Sequence, residues 1–128
     1  MGVRQPRYSK EEFAQRGQAI YEKQVRLGEE HDVAAIIDTG FTGHLTLPMA
    51  LIDRLALPWL SRAQALLADG SLHVFDAYVG TVLWNGQDRT VEVDAADTDP
   101  LAGMGLLRGH RLSVDVVENG AVKIEALA

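Results

Sequence analysis

The sequence contains no cysteine among its 128 residues. That absence excludes disulfide bonds, thiolate zinc sites and thiol-based catalysis together. Long hydrophobic runs are also missing, and residues 1–10 lack the apolar core of a secretory signal, so we expect a cytoplasmic protein. Basic residues are outnumbered, with 12 Lys and Arg against 18 Asp and Glu and a net charge of -6. This balance argues against nucleic acid or an anionic membrane as a partner.

The remaining composition is that of one globular domain preceded by a short extension. Hydrophobic residues make up 47% and charged residues 23% of the chain, as in ordinary soluble proteins. The pattern changes near Leu27, where helical periodicity gives way to short apolar runs separated by turn signals. We therefore expect a helical extension, residues 1–24, and one further domain, residues 25–128.

The extension carries the signature of a helix start. Ser9 and Glu12 have the spacing of a capping box, in which each side chain bonds the backbone of the other residue. Apolar residues then recur at helical intervals, which predicts one amphipathic helix over residues 10–21. Residues 22–27 could continue this helix or form a strand, and we favour the strand.

Turn signals dominate the rest of the chain and predict an all-β fold. Asp69-Gly70, Asn85-Gly86 and Asn119-Gly120 lie between apolar runs, and such pairs favour two-residue hairpin turns because they tolerate positive φ. Short, closely spaced strands are typical of a barrel or a sandwich. The predicted strands are residues 31–38, 72–84, 89–93, 112–118 and 121–127, and the predicted helices are residues 48–55 and a single turn near 106–108.

One carboxylate is a candidate for chemistry. Asp38 follows the apolar run 33–37, so it emerges at the end of a strand that we expect to be buried. Gly40 permits a tight turn there, and Thr39 offers a hydroxyl that can fix the loop. A carboxylate in such a position can serve as an acid or a base. The triplet alone is unspecific, because a strand-end Asp also serves as an acceptor of backbone N–H bonds in an Asx turn.

Further segments accompany Asp38-Thr39-Gly40 along the chain. A hydrophobic run and a predicted helix follow it, Asp69-Gly70 then marks a hairpin, and Leu101-Ala102-Gly103 precedes the second short helix. This order resembles that of retropepsin-like aspartic proteases, and most closely a small bacterial group of clan AA. The resemblance covers residues 25–127. It implies a closed retropepsin-like barrel with one short helix after the strand that carries the Asp.

The resemblance implies an aspartic endopeptidase. Such enzymes hydrolyse peptide bonds with two carboxylates around one water, and the pair shares a proton because like charges so close do not both ionise. The triplet occurs once, so the second Asp38 must come from another copy, which implies a homodimer. An extended peptide would bind as an added strand, and neither cofactor nor metal is implied. The residues that match the family's motifs are Asp38 as the catalytic group, Thr39, Gly40, Phe41 and Thr42 in the active-site loop, Ala68, Asp69 and Gly70 in a flap, and Leu101, Ala102 and Gly103 in the second half-motif.

The alternative hypothesis is a non-catalytic peptide-binding or dimerisation module that retains the retropepsin fold. Phe41 favours this hypothesis, because pepsin-like enzymes carry a hydroxyl at that place. Gly105 favours it too, because many relatives have Asp or Asn there, whose bracing hydrogen bond would be missing. A third hypothesis assigns a regulatory function to the helical extension, with the β domain as its scaffold.

The histidines, the acidic run and the tryptophans do not indicate a further catalytic or metal-binding site. The four histidines never fall at ligand spacing, which argues against a metal site. Asp94, Asp97 and Asp99 lack the spacing of a calcium loop, so we interpret them as a solvated acidic loop. We expect Trp59 and Trp84 to be packing residues.

Overall fold

The computed structural model describes residues 22–28, 31–66 and 69–127. The helix predicted over residues 10–21 and Ala68 of the predicted flap lie outside these residues. Among the described residues, no helix is long and apolar enough to cross a membrane. The elements in this part of the chain are β1 (Glu22–Leu27), β2 (His31–Ile37), β3 (Leu45–Leu47), α1 (Met49–Leu55), β4 (Trp59–Leu66), β5 (Leu72–Trp84), β6 (Gln87–Ala95), β7 (Leu101–Ala102), α2 (Met104–Leu107), β8 (His110–Val114) and β9 (Val122–Ala126).

Six of the strands close into a barrel. Hydrogen-bonded neighbours follow the order β1-β2-β7-β3-β6-β5, and the ring closes because β1 also pairs with β5 through Leu27 and Val82. The pairings of β2 with β7 and of β3 with β6 are parallel, and the other pairings in the ring are antiparallel. β4 extends the sheet beyond β5, and β8 pairs with β9 separately. The predicted all-β class and closed barrel are thus confirmed.

The barrel interior is filled by apolar side chains from every strand of the ring. Successive residues of a strand point to opposite faces, so alternate residues of each strand enter this core. α1 contributes Ile52 and α2 contributes Leu106 and Leu107. The buried members of the core are Val25, Leu27, Ala35, Leu45, Leu47, Ile52, Val82, Trp84, Val91, Val93, Ala102, Leu106, Leu107 and Ile124.

A smaller apolar cluster lies on the outer face of the barrel. Ala35 of β2 and Ala102 of β7 face the interior, so their neighbours Ile36 and Leu101 face outwards. Phe41, from the loop after β2, packs with these two side chains, and all three are buried. We call Ile36, Phe41 and Leu101 the outer cluster. It gives the loop after β2 an apolar support of its own.

One of the three predicted two-residue turns is confirmed. Asn85-Gly86 joins β5 directly to β6, and both residues have positive φ, 50° and 79°. The prediction is wrong for Asp69-Gly70, because the pairing of Leu66 with Leu72 centres the hairpin on Asp69. It is also wrong for Asn119-Gly120, which lies in the connection 115–121. Gly70 and Asn119 still have positive φ. Such a dipeptide therefore specifies a backbone conformation but does not determine how many residues the turn contains.

Three strands and one packing residue differ from the predictions. β8 spans His110–Val114 rather than residues 112–118. β4 was not predicted, because its inward positions Ser61, Ala63 and Ala65 are too small to give a hydrophobic alternation. Leu101 and Ala102 form β7 rather than a loop. Trp59 is 60% exposed rather than packed, and its indole N–H donates to Asp76 at 3.2 Å. Trp84 is 3% exposed, as predicted for a packing residue.

Thr46 connects β3 to β7 through its side chain. The residue is fully buried, and its hydroxyl oxygen accepts a hydrogen bond from the backbone N–H of Leu101 at 3.0 Å. β7 has only two residues, so this bond adds to a short backbone ladder. The sequence offers no signal for it, because a threonine in a strand is ordinary.

We expect Thr46→Val to lower the free energy of unfolding by about 1–3 kcal/mol. Valine keeps the shape of the side chain but leaves the N–H of Leu101 buried without its partner. Thr90→Val, at an exposed position of β6, is the matched control and should change stability by less than about 0.5 kcal/mol. Urea denaturation measures both variants, and equal loss in the two would show that the buried bond contributes nothing.

Candidate functional site

Asp38 lies at the point where the chain leaves β2. Its backbone N–H donates to the carbonyl of Ala102 at 3.0 Å, so the ladder with β7 extends to this residue. Strand alternation places its side chain on the outer face, on the same side as Ile36. The residue is partly exposed. The carboxylate is therefore presented to solvent and not to the sealed core of the barrel.

A tight turn over residues 38–41 holds the carboxylate. The N–H of Gly40 donates to Asp38 Oδ1 at 3.0 Å, and the N–H of Phe41 donates to the Asp38 carbonyl at 3.1 Å. The first bond makes an Asx turn, which is the structural role that the sequence left open for this residue. No described residue donates a hydrogen bond to Oδ2. One carboxylate oxygen is thus fixed while the other is available.

The loop after Asp38 is held against the second half-motif by backbone hydrogen bonds. These bonds join residues 41–44 to residues 103–105, which are far apart in the chain. The structure therefore brings together the two segments that the sequence assigned to one site. The donors are the N–H groups of Gly103, Met104 and Gly105, and the acceptors are the carbonyls of His44, Phe41 and Gly43, at 2.9, 2.8 and 2.9 Å respectively.

This contact leaves no space for a side chain at Gly103 or at Gly105. A Cβ at Gly103 would lie 2.5 Å from Cδ2 of Phe41 and 2.7 Å from the carbonyl oxygen of that residue. A Cβ at Gly105 would lie 2.9 Å from the Gly43 carbonyl oxygen and 2.9 Å from Cγ of His44. Gly105 was expected to lack a bracing side-chain bond. In the structure its backbone N–H braces the loop instead, and the missing side chain allows the approach.

The remaining predicted site residues take different positions. Thr39 and Thr42 are exposed, whereas Leu101 and Ala102 are buried in β7. Asp69 and Gly70 are exposed at the tip of the β4–β5 hairpin. Oδ1 of Asp69 accepts bonds from the hydroxyl and the N–H of Ser71 at 2.6 and 2.9 Å, which hold the pKa of Asp69 below its ordinary value. No hydrogen bond between described residues joins this tip to the Asp38 turn.

A cavity of about 340 Å³ lies beside the loop after β2. The inner face of the β4–β5 hairpin forms one wall and β6 forms another. We call it the side cavity. Its lining residues are Thr42, Gly43 and His44 from the loop, Ala63 and Phe75 from the hairpin, and Glu92 and Asp94 from β6.

The interpretation of Asp94, Asp97 and Asp99 as a solvated acidic loop is wrong for Asp94. This residue belongs to β6 and is only 5% exposed. Because Val93 points into the barrel, Glu92 and Asp94 share the outer face. A Cβ at Gly43 would lie 3.4 Å from Asp94 Oδ2, so the loop after β2 covers this carboxylate. The alternation of Val91 and Val93 is the signal that could have placed Asp94 in a strand.

His44 has an environment that favours its neutral form. Burial is the largest cause that lowers the pKa of His44, and the positive charge of Arg89 is the second. The carboxylates of Glu92 and Asp94 act in the opposite direction but do not prevail. Arg89 donates to the carbonyls of Leu106 and Gly105 at 3.2 and 3.4 Å, which places its charge at α2.

A second cavity, of about 580 Å³, lies at the other end of the barrel. His31 lines it at the start of β2, whereas Asp38 follows the end of that strand. The length of the strand puts roughly 23 Å between them. This cavity is therefore separate from the Asp38 site. Among the described residues, no group of three or more His, Cys, Asp or Glu side chains could hold a metal ion.

Comparison with known proteins assigns no family. No family model matches the chain, and no curated protein or solved structure matches it. The retropepsin-like resemblance therefore stays a prediction from the motifs.

We expect the stability of the protein to fall as the pH decreases below about 6.5, the ordinary pKa of histidine. The unfolded chain binds a proton at His44 more readily than the folded chain does, so protonation in this range favours unfolding. Thermal unfolding at about pH 7.5 and about pH 5.5 should show a smaller difference for His44→Gln than for the wild type. His73→Gln, on the exposed hairpin, is the control; an equal reduction there would contradict the assignment.

We expect Gly103→Ala to lower the free energy of unfolding by about 2–3 kcal/mol. The added methyl group would overlap the Gly43 carbonyl and the Phe41 ring, so the loop must move away. Met104→Ala, at the adjacent exposed residue, should cost less than about 1 kcal/mol. Chemical denaturation compares the two, and a Gly103→Ala protein as stable as the wild type would show that the loop can yield at little cost.

Proposed function

We propose that the chain is an aspartic endopeptidase whose catalytic dyad consists of Asp38 from each of two subunits. The position of the Asp38 carboxylate carries this proposal. It is partly exposed on the outer face of the barrel, and one oxygen is fixed by the N–H of Gly40 at 3.0 Å. A group held in this way can approach its symmetry mate without disturbing the core.

The reaction needs two carboxylates in different protonation states. The ionised Asp38 takes a proton from a water molecule, whose oxygen then bonds to the peptide carbonyl carbon. Asp38 of the partner subunit, in its protonated form, donates its proton to the carbonyl oxygen. When the intermediate breaks down, the proton that Asp38 took from water moves to the leaving nitrogen and the C–N bond is cleaved. A hydroxyl of the intermediate returns its proton to Asp38 of the partner subunit, which restores the dyad. The rigid turn over residues 38–41 supports this role, because acid–base groups act best when they are held in place.

The hairpin of β4 and β5 supports an extended peptide as substrate. β4 pairs only with β5 among the described strands, so its other edge can accept an added strand. The inner side of the hairpin, with Ala63 and Phe75, faces the active-site loop across the side cavity. In the proposed enzyme, this hairpin is the flap that covers the bound peptide and excludes water.

The alternative is a non-catalytic peptide-binding or dimerisation module. The Asx turn favours it, because the bond from Gly40 gives Asp38 a structural role that needs no catalysis. Phe41 also favours it, since this side chain is buried in the outer cluster and offers no hydroxyl to the carboxylate.

Asp38→Asn separates the two functions. Asparagine keeps an oxygen that can accept the Gly40 bond, so the turn should persist, whereas the acid–base group is lost. We expect kcat/KM on a fluorogenic peptide library to fall by about a hundredfold or more. Asp97→Asn, at an exposed residue outside the site, is the control and should leave kcat/KM unchanged.

Two results would contradict the enzyme. Equal turnover by the wild type and Asp38→Asn would exclude Asp38 as the catalytic group. A strict monomer in sedimentation at high protein concentration would exclude the dyad. Peptide binding without turnover by either protein would instead support the binding module.

A further inference from the structure

We infer that the side cavity receives a positively charged side chain, Lys or Arg, of the bound peptide, and that Glu92 recognises its charge. This inference rests on the proposed function, because the ligand is the extended peptide that the Asp38 site would bind. It adds a class of substrate, which the motifs do not specify.

The position of the cavity relates it to the peptide bond that would be cleaved. Thr42 lines the cavity and lies four residues after Asp38. Four residues span at most about 14 Å, and the turn over residues 38–41 shortens this distance. A peptide strand advances about 3.3 Å per residue. The side chain that enters the cavity therefore belongs to a residue within about four positions of the scissile bond.

The walls of the cavity fit a long side chain with an apolar stem and a polar end. Phe75 and Ala63 provide an apolar wall, and Thr42 provides a hydroxyl. The volume of about 340 Å³ is in the range of pockets that bind ligands. Lys and Arg pack their methylene groups against apolar surface while the charged end stays near water. Such a side chain can contact the Phe75 wall and reach β6.

The charges around the cavity favour a cation. Glu92 and Asp94 both line it, and none of its described lining residues is Lys or Arg. The lowered pKa of His44 favours its neutral imidazole at neutral pH, so it does not offset the charge of Glu92. Arg89 keeps its positive charge but does not line the cavity, because its guanidinium is held at α2 by the carbonyls of Leu106 and Gly105. An acidic side chain in the cavity would therefore meet like charge, whereas Lys or Arg would meet opposite charge.

Glu92 is the residue to change, because it is exposed and its substitution should leave the fold intact. Peptides that carry Lys, Ala or Glu at each position around the scissile bond are compared by kcat/KM. For the wild type we expect a preference for Lys over Glu at one position. With each rate expressed relative to that of the Ala peptide, Glu92→Gln should reduce this preference about three- to fivefold, and Glu92→Lys should reverse it. Asp88→Asn, which removes the same charge from an exposed residue of β6 outside the cavity, should keep the wild-type preference.

Binding to Asp38→Asn tests the cavity independently of cleavage. The same labelled peptides are titrated with this protein, and fluorescence anisotropy gives their dissociation constants. Tighter binding of the Lys peptide than of the Glu peptide supports the inference about the cavity, provided that the additional substitution Glu92→Gln removes the difference. If this result is obtained and no protein cleaves any peptide, only the enzyme proposal fails. The inference is overturned if kcat/KM and the dissociation constant are the same for Lys and Glu peptides at every position. It is also overturned by a preference that Glu92→Gln leaves unchanged, or by the absence of measurable binding and cleavage of the Lys peptide.

Discussion

The site depends on the direct contact of two backbones, residues 41–44 and residues 103–105. Three hydrogen bonds of 2.8–2.9 Å join them, and they form only because Gly103 and Gly105 have no side chains. The contact fixes the end of the loop that begins at Asp38, positions the start of α2, and forms part of the side cavity. A backbone contact of this kind is less variable than one between side chains, because it has no rotamers to lose. The orientation of Asp38 therefore follows from the main chain.

A second feature of the fold is that β7, β3 and the end of β2 are covered on both faces. Their inner residues join the barrel core, and the outer cluster of Ile36, Phe41 and Leu101 covers the other side. Thr46 is fully buried on that side and bonds the N–H of Leu101. Asp38 lies at the border of this covered area. Its carboxylate is thus next to an apolar surface but open to solvent.

The sequence predicted the parts of the fold that carry strong local signals. β5 was predicted with its observed ends, because Asn85-Gly86 marks one of them and an apolar run marks the strand. The position of Asp38 at the end of a strand was also predicted correctly, although only Ala35 and Ile36 of β2 are buried. β4 and β7 were not, because small residues in one and a length of two residues in the other give no periodicity. Burial of Asp94 depends on the loop that folds over β6, and no local pattern in β6 encodes that contact.

The two tryptophans lie in very different surroundings. Trp59, at the start of the hairpin strand β4, is 60% exposed, whereas Trp84 is 3% exposed in the core. Exposed and buried indoles differ in emission wavelength and in access to soluble quenchers, so the protein contains two intrinsic optical reporters. One reports on the base of the hairpin and the other on the barrel. Motion of the hairpin relative to the barrel can therefore be followed in solution without attaching a dye.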